Sequence, residues 1–125
     1  MRGKQVVLIE DEPNIAEAIS FILSRAGARV KHLASGAGAE EVLLRIRPDV
    51  LVLDLMLPDR SGLEILAELR ATPMLAALPV LMLTARGHSR DREAAGRAGA
   101  SAFLAKPFAN ADLLAAVRAL AGGAD

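Results

Sequence analysis

The chain has no cysteine, no tryptophan and no tyrosine, and its only aromatic residues are Phe21, Phe103 and Phe108. Without cysteine there are no disulfides and no thiol chemistry. With so few aromatics the core must be built from Leu, Ile, Val, Met and Ala, which suits a chain that is 53% hydrophobic. Net charge is also missing. Lys plus Arg equals Asp plus Glu at 15 each, so the basic footprint of a nucleic-acid binder is absent. No apolar run approaches the roughly 20 residues of a membrane span. Val6–Ile9, close to the N-terminus, is too short for the core of a signal peptide. These absences predict a soluble cytoplasmic protein that binds neither nucleic acid nor membrane directly. At 125 residues it is one domain, long enough to bury a proper core.

What is present alternates. Val6–Ile9, Val50–Leu53 and Val80–Leu83 are continuous apolar runs, as expected of strands covered on both faces. Ala28–Leu33 and Ala100–Ala105 are weaker strand candidates. Between them, Ile15, Ala18, Ile19, Ile22, Leu23 and Ala26 keep helical spacing, with Pro13 near the first turn and Gly27 as the stop. Ala39, Val42, Leu43 and Ile46 repeat the pattern before Pro48. Ser61 to Glu64 reads as a capping box for a third helix carrying Leu66 and Leu69. Leu113, Leu114, Val117 and Leu120 make a fifth helix. Five βα units predict a parallel sheet with helices on both faces and a ligand crevice at the carboxyl ends of the strands. The domain is expected over residues 1–121, with 122–125 as a frayed tail.

The helix between Thr84 and Ala100 is unusual, offering only alanines for burial and a glycine, Gly96, inside the pattern. It should be held loosely. That makes it either a solvated, alanine-faced helix or an element that shifts cheaply when the charge beside it changes.

Four of the runs end on polar groups: Glu10-Asp11-Glu12, Asp54, Thr84 and Lys106. In a parallel sheet these ends share one edge. Three carboxylates there (Glu10, Asp11 and Asp54) repel one another unless a cation intervenes, and Mg²⁺ favours such oxygen ligands. A carboxylate beside a metal can act as nucleophile towards a phosphoryl group. Lys106 and Thr84 could then neutralise and hydrogen-bond the transferred group. Each motif also has a plain reading: a solvated helix start, a strand-ending turn residue, a surface lysine. Their joint occurrence at four strand ends is what argues for a site.

The segments VVLIEDEP, VLVLDLMLPDRSG, VLMLTA and AFLAKPF occur in this order. Together they make nearly the whole chain resemble the receiver domain of bacterial two-component response regulators, of the single-domain, chemotaxis-regulator-like kind. The resemblance implies a flavodoxin-like (βα)5 fold with strand order 2-1-3-4-5. It implies Asp54 as phosphoacceptor and Mg²⁺, with Mn²⁺ as a substitute, held by Asp11, Asp54 and the Met56 backbone carbonyl, and by Glu10 through water. Thr84 and Lys106 would contact the phosphoryl group, the Lys106–Pro107 peptide would be cis, and Phe103 would be the aromatic switch residue. Met56 and Arg86 would tune the phosphorylated lifetime.

By the same resemblance the protein is a signalling switch able to lose its own phosphoryl group, not a turnover enzyme. A histidine kinase or phosphotransfer protein donates, and the surface of the fourth helix, fifth strand and fifth helix responds. Output would be a protein partner if these residues are the whole protein. Alternatively they are the N-terminal regulatory portion of a longer transcription factor. The expected association state is a monomer or a weak phosphorylation-dependent dimer. Ser101-Ala102 stand where receivers that pair through those elements usually carry acids, which counts against that charged contact.

Two other classes fit less well. A haloacid-dehalogenase-type hydrolase needs an acid two positions after its nucleophile, where this chain has Met56. A nucleotide- or flavin-binding module needs a Gly/Ser/Thr-rich loop after the first strand, where this chain has Glu10-Asp11-Glu12-Pro13.

Overall fold

The structure, a computed structural model, describes residues 1–85 and 89–122. The chain alternates strictly: β1 (Gln5–Ile9), α1 (Pro13–Arg25), β2 (Arg29–Leu33), α2 (Ala39–Ile46), β3 (Val50–Asp54), α3 (Gly62–Ala71), β4 (Val80–Ala85), α4 (Ser89–Ala98), β5 (Ala102–Lys106) and α5 (Asn110–Leu120). All pairings are parallel and the strand order is β2-β1-β3-β4-β5. This is the flavodoxin-like (βα)5 architecture expected from the sequence. Arg86 and His88, and Gly123 to Asp125 of the expected tail, lie outside the described residues.

Strand alternation divides the apolar residues into two cores. Val7, Ile9, Leu51, Leu53, Val80 and Met82 face α2, α3 and α4, packing on Leu43, Ile65, Leu66, Leu69 and Ala95. Val6, Leu8, Val50, Val52, Leu81 and Leu83 face α1 and α5, packing on Ile19, Leu23, Leu113 and Val117. The central strands β1, β3 and β4 are therefore apolar except at Gln5, Asp54 and Thr84, whereas the edge strand β2 exposes Arg29, Lys31 and His32. Charged side chains on an edge discourage pairing with another sheet.

Local chemistry sets the element ends. Pro13 opens α1 and Gly27 follows its end at φ 100°, as the spacing predicts. At α3 the expected capping box is altered. Ser61 Oγ accepts from the Leu63 N–H at 3.1 Å, and the Glu64 N–H goes instead to the Ser61 carbonyl. β5 starts two residues later than expected because Gly99, at φ 104°, turns the chain. Ser101 then opens the β4–β5 pairing, its N–H donating to the Val80 carbonyl and its Oγ accepting the Val80 N–H at 2.9 Å. α4 buries only Ala95, in keeping with its alanine-only face.

Arg70, near the end of α3, has no counterpart in the sequence reasoning. Its guanidinium donates to the carbonyls of Gly99, Leu75, Ala76 and Leu78, tying α3, the α3–β4 connection and the end of α4 together. Burial lowers its pKa from that of a free guanidinium. Removing the donor leaves carbonyls such as that of Leu78 short of a partner, and hydrogen bonds to a charged group contribute about 1.5–3 kcal/mol. Arg70→Met should therefore lower unfolding free energy by roughly 2–3 kcal/mol in urea denaturation. A loss under about 0.5 kcal/mol, the usual range for a surface substitution, would mean that these bonds are replaced by water at no cost.

Candidate functional site

β1, β3, β4 and β5 are neighbours, so their carboxyl ends form one continuous edge. Asp54 ends β3 and Lys106 ends β5, while Thr84 lies one residue before the end of β4 and Glu10 one residue beyond β1. Asp54 pairs with Leu83 and Lys106 with Ala85, which by alternation sets both on the α1/α5 side of the sheet. Thr84 pairs with Ala105 and belongs to the opposite side, two residues along from the Met82–Phe103 pair.

The acidic triplet after β1 divides its labour. Glu12 caps α1, its side chain accepting from the Asn14 N–H at 3.3 Å. That is the solvated helix start foreseen for the motif. Glu10 is different: its residue is 0% exposed, and its Oε2 accepts the Glu12 N–H at 3.1 Å. Its backbone is fixed as well, through its N–H to the Leu33 carbonyl and its carbonyl to His32 Nε2 at 2.7 Å. Asp11, between them, is exposed. Carboxylate oxygens of Glu10, Asp11 and Asp54 all lie within 4.8 Å of one another, the one such acidic cluster found among the described residues.

Lys106 Nζ stands 2.8 Å from Glu10 Oε1 and 3.1 Å from Asp54 Oδ2. Asp54, only 3% exposed, also accepts the Met56 N–H on Oδ1 at 3.1 Å. Burial raises the Glu10 carboxyl above its ordinary pKa, with Lys106 opposing the shift in part. Burial depresses the Lys106 ammonium, but its bond to Glu10 and the charge of Asp54 outweigh this, and its pKa is raised. Two buried carboxylates thus share one ammonium, with a third acid at the rim. The excess negative charge and the all-oxygen donor set fit a hard divalent cation such as Mg²⁺. Thr84 Oγ1 adds an orphan: it is buried and has no hydrogen-bond partner among the described residues. A buried polar atom left so is costly and calls for a role.

The remaining sequence candidates fall nearby or apart. The Lys106–Pro107 peptide is cis. Met56 is exposed, and its backbone N–H is the group bonded to Asp54. Phe103 is half-buried against α4, within reach of Gly96 and with the Arg92 guanidinium 5.4 Å from its ring centroid. Beside it opens a groove of about 300 Å³ bordered by Ser89, Arg92 and Glu93. Next to Lys106, a larger groove of about 410 Å³ runs between Ile15 and Ala18 of α1 and Pro107 and Phe108.

A family model for the response regulator receiver domain matches residues 6–118. The chain belongs to the response regulator receiver family. This receiver is 36% identical over 118 residues to the transcriptional regulatory protein GltR of Pseudomonas aeruginosa, covering 94% of this chain and 49% of that one. It spans about half the length of the curated relatives it matches. Among solved structures, a putative response regulator from Chloroflexus aurantiacus superposes with a TM-score of 0.92 at 32% identity, covering 97% of this chain and 99% of that one. The receiver domain of a Pseudomonas aeruginosa sensor histidine kinase, solved with magnesium coordinated in its active-site cleft, has a TM-score of 0.88 at 33% identity, covering 97% and 99%.

Beyond the receiver's acids, lysine and threonine, sequence reasoning misses His32, Asp59 and Arg60. Apart from the Arg60–Glu68 pair, their partners lie 20 or more residues away and include backbone groups of Glu10 and Gly36, which no short motif reveals.

Proposed function

We propose that the protein is a phospho-accepting signalling switch in which Asp54 takes a phosphoryl group from a histidine kinase or a histidine phosphotransfer protein. The observation that carries this is the sharing of one lysine by two buried carboxylates, Glu10 and Asp54, on the sheet edge that also holds a buried Thr84 hydroxyl with no hydrogen-bond partner among the described residues. In the transfer, an Asp54 carboxylate oxygen bonds to phosphorus as the donor's P–N bond breaks, the imidazole nitrogen keeping the electron pair. Met56 N–H and Lys106 orient that carboxylate beforehand, so little reorganisation accompanies the step. Lys106 and Thr84 then hold the oxygens of the new aspartyl phosphate. Asp11, Asp54 and the Met56 carbonyl would ligate Mg²⁺ directly and Glu10 through water, and Mn²⁺ would serve in its place. The ion supplies charge neutralisation for the transferring group.

Engagement of Thr84 would empty space on the Phe103 side of the sheet, letting the ring leave the flank of α4. With a single buried alanine, α4 has little to hold it, so the α4–β5–α5 surface changes. Arg86, with Met56, would set the phosphorylated lifetime. The groove between α1 and Pro107-Phe108 offers an apolar seat for the donor protein beside Lys106. The relatives covered to half their length support the second reading, that these residues regulate a longer transcription factor. Either reading implies a cytoplasmic location, and a monomer or a weak phosphorylation-dependent dimer. Among the described residues no helix is long and apolar enough to cross a membrane.

Intact mass after incubation with Mg²⁺ and a small acyl phosphate tests the proposal. One added phosphoryl group, lost when a chelator is present, is the expected result. An unchanged mass both with the acyl phosphate and with a panel of phosphorylated histidine kinases would overturn it.

A further inference from the structure

Arg60 lies in the seven-residue connection Leu55–Ser61 between β3 and α3, six residues beyond the proposed phosphoacceptor. The near end of this connection closes on Asp54 and the far end on Leu55 beside it. Met56 N–H donates to its carboxylate, and Gly62 N–H donates to the Leu55 carbonyl at 2.9 Å. A Cβ at Gly62 would sit 2.4 Å from the Asp54 carbonyl oxygen, so the start of α3 rests directly on the phosphoacceptor's own peptide.

The middle of the connection is held by a clasp. Asp59 Oδ1 accepts the Gly36 N–H at 3.1 Å, a bond that holds the Asp59 carboxyl below its ordinary pKa. Arg60 donates to the carbonyl of the same Gly36 at 3.4 Å. It also reaches both oxygens of Glu40 on α2, at 3.1 and 3.3 Å, and Glu68 on α3. A Cβ at Gly36 would be 2.6 Å from Ile65 Cδ1 and 3.3 Å from Arg60 Cδ, so the glycine leaves room for Ile65 and lets the arginine stem pack closely.

Exposed ion pairs contribute little as a rule. This one differs in kind. The Arg60 side chain is only 21% exposed, and its fork joins two helices and a backbone carbonyl at once. That is a geometric constraint a planar guanidinium can impose and an ammonium cannot.

We infer that Arg60 is a positioning residue: by clasping the β3–α3 connection to Gly36, Glu40 and Glu68, it holds the Met56 backbone in place for divalent-cation binding beside Asp54. The inference rests on the proposed metal-dependent reading, since Met56 is the ligand that the connection carries. Outer groups that orient metal ligands typically cost about 10–100-fold in affinity when removed. Arg60 acts through the chain and belongs at the low end of that range.

The test is a Mg²⁺ titration followed by amide signals of Asp54, Met56 and Leu57, on wild type, Arg60→Ala and Arg60→Lys, with urea unfolding of each. Arg60→Ala should bind Mg²⁺ roughly tenfold more weakly while its spectrum stays that of a folded protein. Arg60→Lys, able to reach one glutamate but not the whole set, should fall between. Should Arg60→Ala not fold, the pair Glu40→Gln with Glu68→Gln loosens the clasp without removing the arginine and should weaken Mg²⁺ in the same direction. Lowered unfolding free energy with Mg²⁺ affinity within twofold of wild type would make Arg60 a structural tie and overturn the inference alone. Wild type failing to bind Mg²⁺ would overturn the metal-dependent reading as well.

Discussion

Asp54→Asn is expected to abolish acquisition of a phosphoryl group while leaving the fold intact and no less stable. The amide oxygen is a far weaker nucleophile than a carboxylate oxygen, and an acyl phosphate cannot form on it without loss of the nitrogen. A residual labelling rate below about one-hundredth of wild type, the scale on which a lost covalent nucleophile is felt, is the expected upper bound. Stability is the less obvious half. The pocket holds Glu10 and Asp54 against one lysine, so removing one negative charge leaves a matched Glu10–Lys106 pair. Asparagine retains a carbonyl oxygen able to accept the Met56 N–H that Asp54 Oδ1 now accepts. In metal-free urea titration at neutral pH the variant should equal or exceed wild type, with a loss above about 1 kcal/mol refuting the charge argument. Labelling of Asp54→Asn at a wild-type rate would move the acceptor to another carboxylate, with Asp11 the nearest exposed one.

The sheet and this site were legible for one physical reason. A strand covered on both faces must be apolar throughout, so the residue where the run breaks is conspicuous, as at Ile9–Glu10, Leu53–Asp54, Leu83–Thr84 and Ala105–Lys106. The helices showed themselves through their apolar stripes, and α4 through the lack of one. What stayed hidden depends on distance or on backbone. Glu12 and Glu10 are the same residue type two positions apart, yet one caps a helix in solvent and the other is wholly buried. Burial, which no spacing reports, separates them. Arg60 and Arg70 carry no signal in the sequence pattern. Their partners are carbonyls and acids as many as 29 residues away, brought close by the α2–α3 and α3–α4 packing. Ser101 stood out for its departure from an acidic position. Its Oγ instead accepts the Val80 N–H at the opening of β4.

Lys106→Ala should destabilise the metal-free protein in a manner that depends on pH, and should disconnect phosphorylation from the surface around α4 and β5. In wild type the ammonium faces Glu10 and Asp54, and its folded-state pKa lies above the ordinary 10.5. Its contribution is therefore fully present below that value and is lost only as pH rises through the raised folded pKa. Near neutral pH the ammonium therefore stays charged and faces both carboxyl groups. The variant loses this counter-charge, leaving Glu10 buried beside Asp54. Glu10 already titrates above 4.5 because of burial, and losing Lys106 raises it further. A raised carboxyl pKa means that the folded form holds its proton more tightly than the unfolded one, so stability falls as pH climbs through the folded value. The deficit against wild type should be about 2–3 kcal/mol near pH 7.5, somewhat under the cost of orphaning a fully buried charge, since Lys106 is partly exposed. Near pH 5 it should shrink by at least half, as the proton replaces the ammonium, and added Mg²⁺ should recover most of it at about pH 7.5. Urea titrations at the two pH values, with chelator and with Mg²⁺, read all three effects. An equal deficit under every condition would mean that the lysine acts by packing its stem and not by its charge. For signalling, the variant should still bind Mg²⁺. Amide shifts across Ala102–Lys106 and Ser89–Ala98 on phosphorylation should be lost, because the phosphoryl oxygens no longer draw on β5. A wild-type pattern of shifts in Lys106→Ala would assign that coupling to Thr84 alone.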